Sequence, residues 1–231
     1  MSWIADALAE RGTTTGRVGR VALVASLLCA VSAAHALPKI EFPPESADQI
    51  VKVRVLPQRP VTETQGDAKG TATDAQRREA QARSIAELFR RYDRSMTQQR
   101  GKELAGLVID VARQFRQEPF AVAALIVHES SARPDAVSKG GDYGLMQVRW
   151  RVHKANIMKE HPHVRRAQDL FDPRTNLLIG TKLLAGYRAA STDLRGAILR
   201  YSAGNEKLAR KVQATMKELE KSYRKHLKAL G

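Results

Sequence analysis

The chain has 231 residues, 43% of them hydrophobic but only 5% aromatic, with a formal net charge of +15 and a pI near 10.3. That length allows one domain plus extensions, with an aliphatic, Ala-rich core. Its single cysteine, Cys29, excludes a disulfide framework within the chain and any Cys-based metal site. The charge calls for an anionic partner or a solvated basic surface, and by itself does not choose between them.

The N-terminus reads as an address. Arg11, Arg17 and Arg20 precede an apolar run from Val21 to Val31, and Ala34-His35-Ala36 follows as a small-residue cleavage site. Residues 1–36 are therefore expected to be a signal peptide, giving a periplasmic or exported product. The alternative is an uncleaved anchor, and a membrane contact is expected only if this segment is retained. Residues 37–75 read as a Pro/Thr-rich linker containing Pro43, Pro44, Pro57 and Pro60. Within it, Ile50 to Val55 alternates like a short strand.

The remainder repeats at helical spacing, so an all-α fold is expected. An accessory helix is expected over 76–97, capped by Asp74, with Ile85, Leu88, Phe89 and Tyr92 on one face. The catalytic domain is placed at 98–231. Leu104, Leu107, Val108, Val111, Ala112 and Phe115 recur on one helix. Glu118-Pro119 then opens an apolar helix that runs to Glu129, Pro119 suiting a first turn. The stretch from Pro134 to Trp150 is loop-rich, with Gly140, Gly141 and Gly144 allowing tight turns. Thr175 or Asn176 is expected to cap the helix that carries Leu177 to Tyr187, and Asp193 the one that carries Leu194 to Tyr201. The last helix spans about Glu206 to Leu230, and eight Lys/Arg against three Glu make its outer face basic.

Glu129 carries the chemistry. A carboxyl at the end of a hydrophobic helix borders core and solvent. Burial favours its neutral form, and so does the negative end of the helix dipole. A carboxyl held protonated near neutral pH can donate to a leaving group, which suggests acid catalysis on a glycosidic or similar bond. The rival reading is a helix-end carboxylate facing water.

Four segments resemble the soluble lytic transglycosylase family, whose catalytic domain is goose-type lysozyme-like. They are Ala124 to Ser130 with its Glu-Ser pair, Gly144-Leu145-Met146-Gln147-Val148, Asn176-Leu177-Leu178-Ile179-Gly180, and Ala197 to Gly204 around Tyr201. The resemblance covers roughly residues 104 to 205. Ser202 stands where the family usually has Asn, and Arg149-Trp150 where a Pro is often near.

The resemblance implies a lysozyme-like helical domain with a cleft, acting on peptidoglycan glycan strands. It gives Glu129 the roles of general acid and then general base, and it calls for no metal or cofactor. Ser130 either bonds Glu129 or substrate, or only ends the helix. Gln147 binds sugar amides or is a structural amide, while Met146 is a cleft wall. Tyr201 holds the Glu129 carboxyl or is a core tyrosine. Asp142 is either a turn residue or a second acid that activates water, which would make a muramidase-type hydrolase. A non-catalytic wall-binding assembly factor keeps the same fold. Asn176 is read as a cap, and Trp150 as a sugar platform or core residue. His153, His161 and His163 match no common metal spacing. Nucleic acid is not an expected partner, since no base-reading or aromatic-platform motif is present. Small size and a long linker fit a locally recruited enzyme, so a cell-envelope-spanning machine such as a secretion system is a further expected partner.

Overall fold

The computed structural model describes residues 72–230. The signal-peptide reading, Cys29, nearly all of the linker and the strand-like segment at 50–55 lie outside them. Seven α-helices and one two-stranded ribbon make up the described fold. They are α1 (Asp74–Tyr92), α2 (Gln98–Gln114), α3 (Pro119–Ser130), β1 (Asp142–Tyr143), β2 (Val148–Arg149), α4 (Trp150–Glu160), a 3₁₀ turn (Ala167–Phe171), α5 (Pro173–Ala189), α6 (Leu194–Tyr201) and α7 (Glu206–Leu230). The fold class is all-α, as expected. Among the described residues no helix is long and apolar enough to cross a membrane.

α3 is the centre. Phe120 through Val127 are all buried, so the helix is apolar on every side and must be wrapped. α2 packs along it, as do α1 and α7. α5 and α6 pack together and join the same core, through α2 and α7 respectively. Of α1, expected as an accessory helix, Ile85, Leu88 and Phe89 are buried in the common core. It starts one residue earlier than a cap at Asp74 would allow, because Thr73 takes that role in a reciprocal capping box with Gln76. Its end comes at Tyr92, and Met96 reaches the core from the following turn.

A second, smaller cluster holds Val148, Ile157, Val164, Leu170 and Ile179, with Tyr143, Trp150 and Leu183 packed against it. The ribbon, α4 and the 3₁₀ turn contribute most of it. Residues 144–148 cross between the two clusters: Leu145 and Met146 belong to the large one and Val148 to the small one. Trp150 thus packs with the small cluster, at the first position of a helix that no apolar period in the sequence marks.

Candidate active site

Glu129 is the penultimate residue of α3. Beyond the helix, Ser131 and Ala132 are both left-handed (φ 57° and 61°), which stops α3 abruptly and turns the chain away. Left-handed backbone costs a non-glycine residue roughly 1 kcal/mol, and two in succession persist only where packing over-determines them. Ala132 is completely buried. The result is a carboxyl held at the rim of the core, half-buried and with no hydrogen-bonding partner among the described residues.

Burial pushes the Glu129 carboxyl up to about 7 from its ordinary 4.5, and the Asp142 carboxylate adds to the rise while Arg149 opposes it. About half of the Glu129 carboxyls are then protonated at neutral pH. This is the arrangement a general acid needs.

Asp142 and Arg149 face each other across the antiparallel ribbon, Asp142 opposite Arg149 and Tyr143 opposite Val148. The guanidinium donates to both carboxylate oxygens, from Nε at 2.7 Å and from Nη2 at 3.3 Å. The Ser138 hydroxyl donates to the second of them at 2.9 Å, and accepts from the backbone N–H of Gly140 and of Asp142. Burial of Asp142 disfavours its charge, but the bonds from Arg149 and Ser138 outweigh that and hold its carboxyl below the usual range. Asp142 is therefore a strand residue with a fixed negative charge, and the turn expected of it is made by Ser138.

Tyr201 lies within the electrostatic reach of Glu129, and burial raises its hydroxyl well above the ordinary tyrosine value. That hydroxyl does not hold Glu129. It donates to the Met146 backbone carbonyl at 2.7 Å, and the ring packs edge-on against Tyr187 at 6.1 Å. Arg149 also acts electrostatically on Tyr187, which links five groups through their charges: Glu129, Asp142, Arg149, Tyr187 and Tyr201.

Other residues of the expected site turn out to hold the backbone. Ser130 is buried and its hydroxyl donates to the Ile126 carbonyl of the preceding turn (3.1 Å), so it ends the helix and bonds neither Glu129 nor the surface. The side chain of Met146 is fully buried, not a cleft wall. Gln147 gives both amide hydrogens to the loop, to Ala136 O (3.1 Å) and Gly144 O (2.9 Å), leaving only its Oε1 for a ligand. Asn176 is not a cap, because Asp172 caps α5 through the Thr175 N–H. Its amide instead accepts from Met146 N–H (2.8 Å) and donates to Tyr143 O (2.8 Å) and Leu170 O (2.9 Å). Ser202 bonds back to Ile198 O at 2.8 Å, within its own helix turn.

These contacts tie the matching segments to one another. Gly144 is left-handed (φ 75°), and a Cβ on it would meet Asn176 Nδ2 at 2.2 Å and Leu170 O at 2.4 Å. A Cβ on Gly180 would meet Met146 Cβ and Sδ at 2.7 Å. Gly144, Met146, Asn176, Gly180 and Tyr201 form one interlocked node that sets the ribbon, with Asp142 and Arg149, beside the end of α3. Arg149 is the site residue that sequence reasoning missed. Its signal was the seven-residue step from Asp142 across a turn containing Gly144, hidden in the basic run Arg149-Trp150-Arg151.

A groove of about 510 Å³ passes Ala132 and Pro134, just beyond Glu129, and is flanked by Arg100, Glu103 and Arg174. The five groups around Glu129 do not line it. Among the described residues no cluster of three or more His, Cys, Asp or Glu could hold a metal ion.

The fold and site define a class. The family described as "Transglycosylase SLT domain" matches residues 106–224, and the chain belongs to it. It is similar to a curated protein, "Membrane-bound lytic murein transglycosylase E" of Buchnera aphidicola subsp. Acyrthosiphon pisum (strain APS), at 26% identity over 102 residues. That match covers 42% of this chain and 45% of the relative, so less than half of the relative's length is spanned.

Proposed function

We propose that the protein is a lytic transglycosylase that cuts the β-1,4 bond between N-acetylmuramic acid and N-acetylglucosamine in peptidoglycan. The reading rests on family membership, and the half-buried Glu129 carboxyl at the abrupt end of α3 is the observation that carries it; burial raises that carboxyl to about 7, which fits the role. Neutral Glu129 protonates the glycosidic oxygen, and the C1–O bond breaks. The resulting carboxylate removes the proton from the C6 hydroxyl of the same muramyl sugar, whose oxygen closes on C1 to leave a 1,6-anhydro end. The attack is intramolecular, which removes much of the entropic barrier of a bimolecular step.

A muramidase-type hydrolase is the second reading, and it needs Asp142 as a base for water. Asp142 is a poor base here, with three donors on its two oxygens and a carboxyl held below the usual range. That favours the anhydro product. A non-catalytic wall-binding factor would have no use for a carboxyl poised at neutral pH.

Mass analysis of digested peptidoglycan tests the reading. New ends should be lighter by one water than reducing ends, and Glu129→Gln should abolish them while leaving sedimentation with wall material unchanged. Reducing ends from the wild type, or lysis by the Gln variant, would overturn it. The same reading puts the enzyme in the cell envelope, where an envelope-spanning machine would recruit it locally. The net charge of +15 would draw it to the anionic wall, and salt should weaken that attraction.

A further inference from the structure

A second carboxylate, Asp142, lies within the electrostatic reach of Glu129, and an enzyme that activates no water has no catalytic use for it. We infer that Arg149 is a positioning residue that locks Asp142 out of base chemistry and thereby steers the muramyl C1 toward its own C6 hydroxyl instead of toward water. This rests on the transglycosylase reading above and deepens it.

Three observations carry the inference. Asp142 and Arg149 are fixed opposite each other by the ribbon register, so their pairing is built into the backbone. The pair is two-pronged, and Ser138 adds a third donor, which occupies three of the roughly four lone-pair positions that a carboxylate offers. The Asp142 side chain is also only 15% exposed while that of Arg149 is 52% exposed, so the cation covers the acid from the solvent side. A water approaching Asp142 would have to displace a charge-assisted bond before it could lose a proton to it.

The competing reactions differ in one partner. In both, Glu129 gives its proton to the leaving oxygen and the C1–O bond breaks. In transglycosylation the C6 oxygen bonds to C1 and its proton goes to the Glu129 carboxylate. In hydrolysis a water oxygen bonds to C1 and one water proton goes to Asp142. Freeing Asp142 should open the second route without closing the first.

The test is digestion of purified peptidoglycan in ¹⁸O-labelled water by the full chain, with anhydro ends and labelled reducing ends counted by mass. The wild type should give anhydro ends. Arg149→Met, which keeps the aliphatic stem and removes the cation, should raise the labelled fraction at least tenfold. Arg149→Lys should restore most of the anhydro product, and Asp142→Asn added to Arg149→Met should remove the labelled ends again. Ser138→Ala gives a milder release, and so a smaller rise of the same sign even if Arg149→Met fails to fold.

An unchanged ratio in a folded Arg149→Met, complete loss of cleavage by it, no rise in Ser138→Ala, or labelled ends that persist in the double variant would each overturn the inference. An unchanged ratio with anhydro product sinks only this step. Reducing ends from the wild type itself would sink the reading beneath it.

Discussion

The end of α3 and the ribbon opposite it present the site in two different ways. Glu129 is delivered by the most deeply buried helix of the fold, whose residues from Phe120 to Val127 are at most 6% exposed. Asp142 and Arg149 are delivered by two strands of two residues each, tied down by side-chain hydrogen bonds. The next helix, α4, has no side-chain cap and buries only Ile157, while Val152 and Met158 are 57% and 44% exposed. One half of the site is positioned by apolar packing and the other by polar contacts. The first is insensitive to most single surface changes, while the second loosens when any one of a few bonds is removed.

The largest expected effect breaks the chemical half. Glu129→Gln should remove detectable turnover on peptidoglycan, a loss of at least the about 10²- to 10⁴-fold that a general acid usually contributes, measured as release of soluble muropeptides. Its stability should respond with the opposite sign. The wild-type carboxyl is raised in the folded state, so its neutral form is tolerated fully below pH 4.5 and folding is penalised progressively as pH rises through about 7. In urea denaturation, the Gln variant should match the wild type near pH 4 and exceed it above pH 7 by at most about 3 kcal/mol, and by less where solvent screens the group.

Next comes the node that fixes the ribbon. Asn176→Ala removes an amide that makes three hydrogen bonds, two of them buried, and should destabilise the fold by about 2–4 kcal/mol. Gly144→Ala forces a Cβ into Asn176 and Leu170 and should cost at least as much. By contrast, Ser202→Ala removes one bond to the helix's own backbone and should change Tm only slightly, with little effect on turnover. At the small end, Val152→Ser and Met158→Ser on α4 should each alter stability by less than about 0.5 kcal/mol. Amide exchange should show the same order, slowest in α3 and fastest in α4.

The contrast between the two halves also accounts for what could be read from the sequence. The unbroken apolar run after Pro119 marks α3 unmistakably, and Glu129 is the first acid after it. Periodic stripes such as Leu208, Val212 and Leu219 place α7, which the structure starts at Glu206 as expected. α4 escaped because the segment from Trp150 to Glu160 buries a single side chain and leaves no apolar period to detect. The role of Asn176 was also hidden. A polar residue near a helix start looks like a cap, and only coordinates show Asp172 in that place and Asn176 turned into the core. For Ser130, Met146 and Tyr201 the structure shows an architectural part: they bond or pack inside the scaffold that presents Glu129.

Turnover should follow the protonation of Glu129. The rate on peptidoglycan at low substrate should be steady through mildly acidic pH and fall as pH passes about 7, with no contribution from Asp142, which stays ionised throughout that range.

The most direct measurement is an NMR titration of ¹³C-labelled glutamate carboxyls in the wild type, with Glu129 assigned by its absence from the Gln variant. A midpoint near 7 is the predicted result. A midpoint near 4.5, the value of a carboxyl in open water, would contradict the account.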